Sequence, residues 1–279
     1  MSQFKKWDEV SWVRSKDRRI APFSSNLDFF ARQCTGLFSS PEVLTADPVV
    51  QRELLVLQLY NYLEFTVWLE LGPVNEVCNL IRRPDFLAWL PTQMKDDALR
   101  IYVDEGAHAE MCRSLIVAVE DYNRVKSLKL KPSFLDVLDT LVKRELPDFH
   151  PLIKLFFVII SETLITGTLS KLPRDHTVQL AVREVVADHA TDEGRHHAYF
   201  LQLFEYVWHR FPQELRRHIG LLLPEMILAF LEPDARAIGA MLGRFPAVFD
   251  IPGKLAADLV RSETTRLGIQ SAALPGTCQ

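Results

Sequence analysis

Two stretches of the chain, Y-V-D-E-G-A-H-A-E-M at 102–111 and A-T-D-E-G-R-H-H-A-Y at 190–199, both contain D-E-G-x-H, with their glutamates 88 residues apart. In each copy a Glu and a His stand three positions apart. On an α-helix that offset puts them about 60° apart around the axis, so one face offers a carboxylate oxygen and an imidazole nitrogen together. A single E-x-x-H is common on solvated helix faces. Two copies on separate helices match the demands of a dinuclear carboxylate site, which also needs one lone Glu from each of two further helices.

The lone glutamates can be sought in the same way. Glu162 interrupts the apolar run F-F-V-I-I-S-E-T-L-I, where an unpaired buried carboxylate would be expensive, so it should face a cation or a strong donor. Glu70 in T-V-W-L-E-L precedes Glu105 by 35 residues, much as Glu162 precedes Glu193 by 31. Glu64 is its rival, but the two point about 120° apart and cannot share a face, so Glu64 is expected to face solvent or a supporting partner. His189 lies one turn before Glu193 on the face of Glu193 and His196, whereas Ile101 occupies the matching place in the first copy. The predicted metal ligands, which are also the predicted catalytic set, are Glu70, Glu105, His108, Glu162, His189, Glu193 and His196. Asp104 and Asp192 are expected to accept hydrogen bonds from the ligand imidazoles. Gly106 and Gly194 lower helix propensity, and close helix approach around the metals is the expected return. Four carboxylates and three imidazoles without a thiolate suit iron or manganese, alone or mixed, better than structural zinc.

Such ligands must be carried by helices, and helical periodicity dominates the chain. Only 11 of 279 residues are glycine, and no stretch alternates as a half-buried strand would. The pattern predicts a short helix over 27–39 and long ones over 51–71, 93–125, 150–171 and 175–210, with a shorter one over 133–146. The first should end or kink at Gly72-Pro73. Shorter helices punctuated by prolines follow, and the last ten or so residues look loose. The reading is all-α: one domain over 1–279, a four-helix metal-binding core at about 50–210 with additional peripheral helices. Hydrophobic residues make up 48% and charged ones 24%, with a net charge of −4, so there is no basic footprint for nucleic acid. The run at 152–165 carries Lys154 and Glu162 and reads as a buried core helix, not a membrane span. Scattered cysteines and a polar N-terminus fit a reduced, cytoplasmic protein.

With Glu70, D-E-x-x-H at 104–108, Glu162 and H-x-x-D-E-x-x-H at 189–196 in place, the sequence resembles the ferritin-like di-iron N-oxygenases typified by p-aminobenzoate N-oxygenase. L-Y-N-Y-L-E-F-T-V-W-L-E at 59–70 also resembles that family's first ligand helix, and the resemblance covers about 50–210. The additional histidine, His189, is its specific part. The resemblance implies two iron ions, dioxygen and a small-molecule amine as substrates, and oxidation to a hydroxylamine, nitroso or nitro product in specialised-metabolite biosynthesis. It also implies an external ferredoxin- or reductase-type electron donor; a homodimer is the expected assembly. The rival readings are a di-iron C–H hydroxylase, desaturase or oxidative cleavage enzyme, and an iron-handling ferroxidase bundle. Arg183 and Arg195 could meet a substrate carboxylate but read first as solvated charges, and Phe65, Trp68 and Phe157 could line a pocket but read first as core.

Overall fold

Asp47 and Pro48 start the first long helix: the Asp47 carboxylate accepts from the Val49 amide at 2.7 Å, and Pro48 has no amide to leave unpaired. The computed structural model describes residues 2–15, 20–164 and 167–266. The N-terminal arm holds two single turns, α1 (Trp7–Val10) and α2 (Trp12–Ser15), and a third turn, α3 (Pro41–Leu44), precedes α4 (Pro48–Leu69). α4 runs through a π-helical turn, Glu70–Val74, into α5 (Asn75–Arg82). There follow α6 (Thr92–Asn123), α7 (Ser133–Arg144), α8 (His150–Leu164), the turn α9 (Gly167–Lys171), α10 (Leu180–Trp208), α11 (Gln213–Leu231), α12 (Ala235–Leu242) and α13 (Pro252–Arg266). Among the described residues there is no strand, only an isolated bridge between Asp28 and Val178. The fold is all-α with a ferritin-like four-helix core.

α4, α6, α10 and α8 pack in that order, and the π turn with α5 closes the ring against α8. The first half of α4, the second half of α6 and the first half of α10 share one apolar cluster, from Leu54 through Leu115 to Val186, so neighbouring helices run antiparallel. A second cluster joins Leu69 and α5 to Met94–Ile101, α8 and the second half of α10. Each fully buried Leu or Phe in these clusters contributes about 1.5–3 kcal/mol. Between them lies a layer of buried Glu, Asp and His. On α6 and α10 its polar groups sit mid-helix, on α8 Glu162 sits in the last turn, and Glu70 opens the π turn after α4.

Several expectations need correcting. Residues 27–39 form no α-helix: Asp28 pairs through its amide with Thr177 O and through its carbonyl with the Gln179 amide, both at 2.9 Å, and only short 3-10 turns follow at Arg32–Cys34 and Gly36–Ser39. The same pairing delays the fourth long helix to Leu180. The helix read over 150–171 is α8 and α9, with 165–166 between them outside the described residues. Pro147–Arg174 is long and apolar enough by composition to cross a membrane, but 67% of its most apolar window is packed inside the protein. Pro224 does not stop α11, which carries it internally. The loose ending read for the last ten residues lies outside the described residues.

Candidate metal centre

Gly72 and Pro73 act as expected, and they do more than end a helix. Gly72 adopts φ −91° and ψ −106°, the ladder loosens into a π turn, and Glu70 stands at its first position with its carboxylate buried. π-helical turns are frequent at functional sites because they re-aim one side chain without ending the helix. α6 presents Glu105 and His108, α8 presents Glu162, and α10 presents His189, Glu193 and His196. All seven point into the polar layer.

The inward nitrogens face carboxylates at close range. His108 Nδ1 lies 3.1 Å from Glu105 Oε2, 3.5 Å from Glu193 and 3.9 Å from Glu70. His196 Nδ1 lies 3.0 Å from Glu105 Oε1 and 3.1 Å from Glu193 Oε1, and His189 Nε2 lies 2.9 Å from Glu70 Oε1 and 3.2 Å from Glu193 Oε1. Yet His189 Nε2 and Glu105 Oε1 lack hydrogen-bond alignment with these neighbours, as do Glu70 Oε2 and Glu162 Oε2 with any partner. Buried polar atoms that are near one another but not aligned are aimed at a common point, as ligands of a cation are. Two four-membered groups emerge, Glu70–His108–His189–Glu193 and Glu105–His108–Glu193–His196, each with its ligand atoms within 4.8 Å of one another. They share His108 and Glu193. Glu162 falls outside both close groups, although it borders the same space. The donor set therefore fits two hard or borderline divalent ions, whose charge four carboxylates would balance.

The outward nitrogens are cross-braced. His108 Nε2 of α6 donates to Asp192 Oδ2 of α10 at 3.1 Å, and His196 Nε2 of α10 donates toward Asp104 Oδ2 of α6 at 3.4 Å. Each aspartate thus holds the histidine of the opposite copy, which leaves each Nδ1 free for the interior. Arg195 is neither a solvated charge nor free for substrate, since its guanidinium is bonded to Asp192. Arg183 bonds the Val178 carbonyl and His176, and His197 Nδ1 turns outward to the Glu162 carbonyl. Glu64 pairs with Arg113 at 3.0 Å, off the site.

Burial and mutual charge shift the titrations of the groups in this layer. Burial pushes the Glu70 carboxyl up to about 7, against the pull of His189. Burial also drives Glu162 well above its ordinary range, with Glu193 and Glu105 adding to the rise. For His108 burial acts downward, as does His189, but its bonds to Asp192 and Glu105 win and carry it to about 9. Burial opposes ionisation of Glu193 as well, yet His196 and His189 hold it well below the usual carboxylate range.

A cavity of about 690 Å³ opens onto this layer; Glu70, Glu162, His189 and Glu193 line it. Phe30, Tyr62, Phe65, Phe134 and Phe230 also line it, and the Tyr62 hydroxyl is buried without a hydrogen-bond partner. Phe65 is thus a lining residue. Trp68 is half-exposed away from the cavity, and Phe157 packs in the core against Phe230. The expectation for the two motif glycines fails: a Cβ at Gly106 or Gly194 would meet nothing within 4 Å, so neither permits close helix approach.

The N-terminal arm was not foreseen as part of the site. Trp7 Nε1 donates to both Asp104 oxygens at 2.8 and 2.9 Å, Ser11 Oγ to Asp104 Oδ1 at 2.5 Å, and the Trp12 amide to Asp192 Oδ2 at 3.2 Å. The only available signal was two tryptophans and a serine in the short polar stretch K-K-W-D-E-V-S-W-V at 5–13.

The sequence model of the family described as p-aminobenzoate N-oxygenase AurF matches residues 10–273. Among the curated proteins, none matches the chain.

Proposed function

The chain belongs to the p-aminobenzoate N-oxygenase AurF family, a family of di-iron oxygenases, and we propose that its substrate is a small primary aromatic amine, oxidised at nitrogen beside the carboxylate–imidazole layer. The observation that carries this reading is the cavity walled by aromatic rings and ending on Glu70, Glu162, His189 and Glu193. Stacked or edge-on rings favour a planar aryl group, and the cavity ends on the ligands, so an amine at its inner end meets the metal layer. Glu70, Glu105, His108, Glu162, His189, Glu193 and His196 are the residues that would hold the two irons. When bound and reduced, the irons supply activation of dioxygen for transfer to nitrogen.

The remaining work falls to the chain. Asp104 and Asp192 fix the imidazole orientations, the rings exclude water from the amine, and the lone Tyr62 hydroxyl offers a donor inside the cavity. In the first cycle the amine, dioxygen, two electrons and two protons give a hydroxylamine and water; further cycles would give nitroso and nitro products. The same reading includes an external one-electron donor of the ferredoxin or reductase type, a homodimer, a cytoplasmic setting and a role in specialised-metabolite biosynthesis.

The test is single turnover of iron-loaded, reduced protein with ¹⁸O₂ and a panel of arylamines, read by mass spectrometry. Label on the amine nitrogen is the expected result. Label on a ring or aliphatic carbon would move the reading to C–H oxidation, and retained ferric mineral without organic product would move it to iron handling.

A further inference from the structure

His196 is braced from outside by segments that lie far from it in sequence. The Phe4 ring stacks on the imidazole at 6.2 Å between centroids and 21° between planes, and Phe4 is itself buried. The imidazole Nε2 donates to Asp104, and Asp104 is held by Trp7 Nε1 and Ser11 Oγ. Among the described residues, apart from His196, the hydrogen-bond donors that reach Asp104 come from the arm. Asp192, its counterpart, also has Arg195 of its own helix and a shorter bond to its histidine. Phe4 and Trp7 precede residue 10, where the family match begins, and Ser11 lies within it.

Resting on the metal reading above, we propose that the N-terminal arm is a working part of the metal centre: Trp7 and Ser11 are positioning residues that act through Asp104 to fix His196 as a ligand. The physical reason is the length of the Asp104–His196 contact. At 3.4 Å it is too weak to orient a ring alone, and Asp104 can hold its carboxylate toward Nε2 only while its other acceptor sites are filled. Trp7 and Ser11 fill them. A carboxylate robbed of these donors would rotate to find others, and His196 would lose the outer partner that aims Nδ1 inward. Linkage then requires the converse: metal bound at His196 stabilises the docked arm.

The experiment is titration of the metal-free protein with Co²⁺, whose visible absorption reports each coordination environment, in wild type and in Trp7→Phe, Ser11→Ala, Ser11→Thr and the Trp7→Phe/Ser11→Ala double variant. Wild type should take up two ions; fewer than two sinks the di-metal reading itself. With two bound, Trp7→Phe and Ser11→Ala should each weaken one ion about tenfold and change its spectrum, and the double variant should approach about a hundredfold, the range found for outer partners of metal ligands. Ser11→Thr, which keeps the hydroxyl, should recover wild-type binding. Wild-type affinities and spectra in Trp7→Phe and the double variant overturn the proposal, as does equal weakening of both ions. Should Ser11→Ala fail to fold, Trp7→Phe and Ser11→Thr still decide it.

Discussion

The two D-E-G-x-H helices repeat one pattern and are completed by different neighbours. On α6 the turn before the motif carries Ile101, fully buried, whereas on α10 it carries His189, whose Nε2 stands 2.9 Å from Glu70. One lone carboxylate, Glu70, is aimed by a π turn at Gly72-Pro73 and sits closest to His189 of α10; the other, Glu162 on α8, stands outside both close groups. Asp104 is held by Trp7 and Ser11 of the N-terminal arm, whereas Asp192 has the arm's Trp12 amide and Arg195 of its own helix. A repeat in sequence therefore specifies equivalent inner faces, while everything that touches those faces from outside is free to differ. The irregular additions give the two metal positions unequal surroundings.

The sharpest way to break this picture is to remove a group both positions share. Glu193 belongs to both close groups, so Glu193→Ala should lose both ions, with affinities falling more than about a hundredfold, beyond what loss of an outer partner costs. Iron analysis after reconstitution reads this directly, and retention of one tightly held ion would show that the groups are separable.

The next change targets the asymmetry. His189→Ala should keep its helical circular dichroism, weaken one ion by about a hundredfold or more, the upper end of what loss of an outer partner costs, and lower N-oxygenation in step. Turnover like wild type would remove His189 from the chemistry.

Proton occupancy of the metal-free layer gives a smaller, pH-dependent effect. Glu70 is raised from 4.5 to about 7 by burial, and His108 from 6.5 to about 9 by its carboxylate partners prevailing over burial. Both folded values lie above the unfolded ones, so their stabilisation is full at low pH. It is lost as pH rises from about 4.5 to 7 for Glu70 and from 6.5 to 9 for His108. Metal-free protein should therefore melt roughly 5 °C lower at pH 9 than at pH 6, and metal-loaded protein should not, because ligands bind metal deprotonated. Calorimetry of both forms compares them, and a flat metal-free profile would contradict these shifts.

The smallest effect probes the one feature the copies share without evident use. Gly194→Ala has room for its Cβ and should stabilise α10 by about 0.5–1 kcal/mol with unchanged turnover. A loss of stability would show that the glycine has a role its surroundings do not reveal.

The inner faces were readable because a helix converts spacing into direction. E-x-x-H, the turn before it and a Glu stranded in an apolar run each state where a side chain points before any fold is known, and Glu162 announced its burial through its neighbours. The Gly72-Pro73 break was readable for a similar reason, since backbone chemistry there is local. The helix read over 27–39 failed because Asp28 finds its partners at Thr177 and Gln179, about 150 residues away, and no local pattern reports that. The arm's role was hidden likewise: Trp7 and Ser11 are ordinary residues until Asp104 lies opposite them.

Periodicity and ligand spacing by themselves determined an all-helical chain with two like faces that call for cations, because both depend on the 3.6-residue turn alone. Tertiary structure decided which aspartate braces which histidine, that Glu162 stands apart from the close groups, that Arg195 is spent on Asp192, and that the N-terminus reaches the site. Those choices depend on distances between helices, set by how the two apolar clusters pack above and below the polar layer.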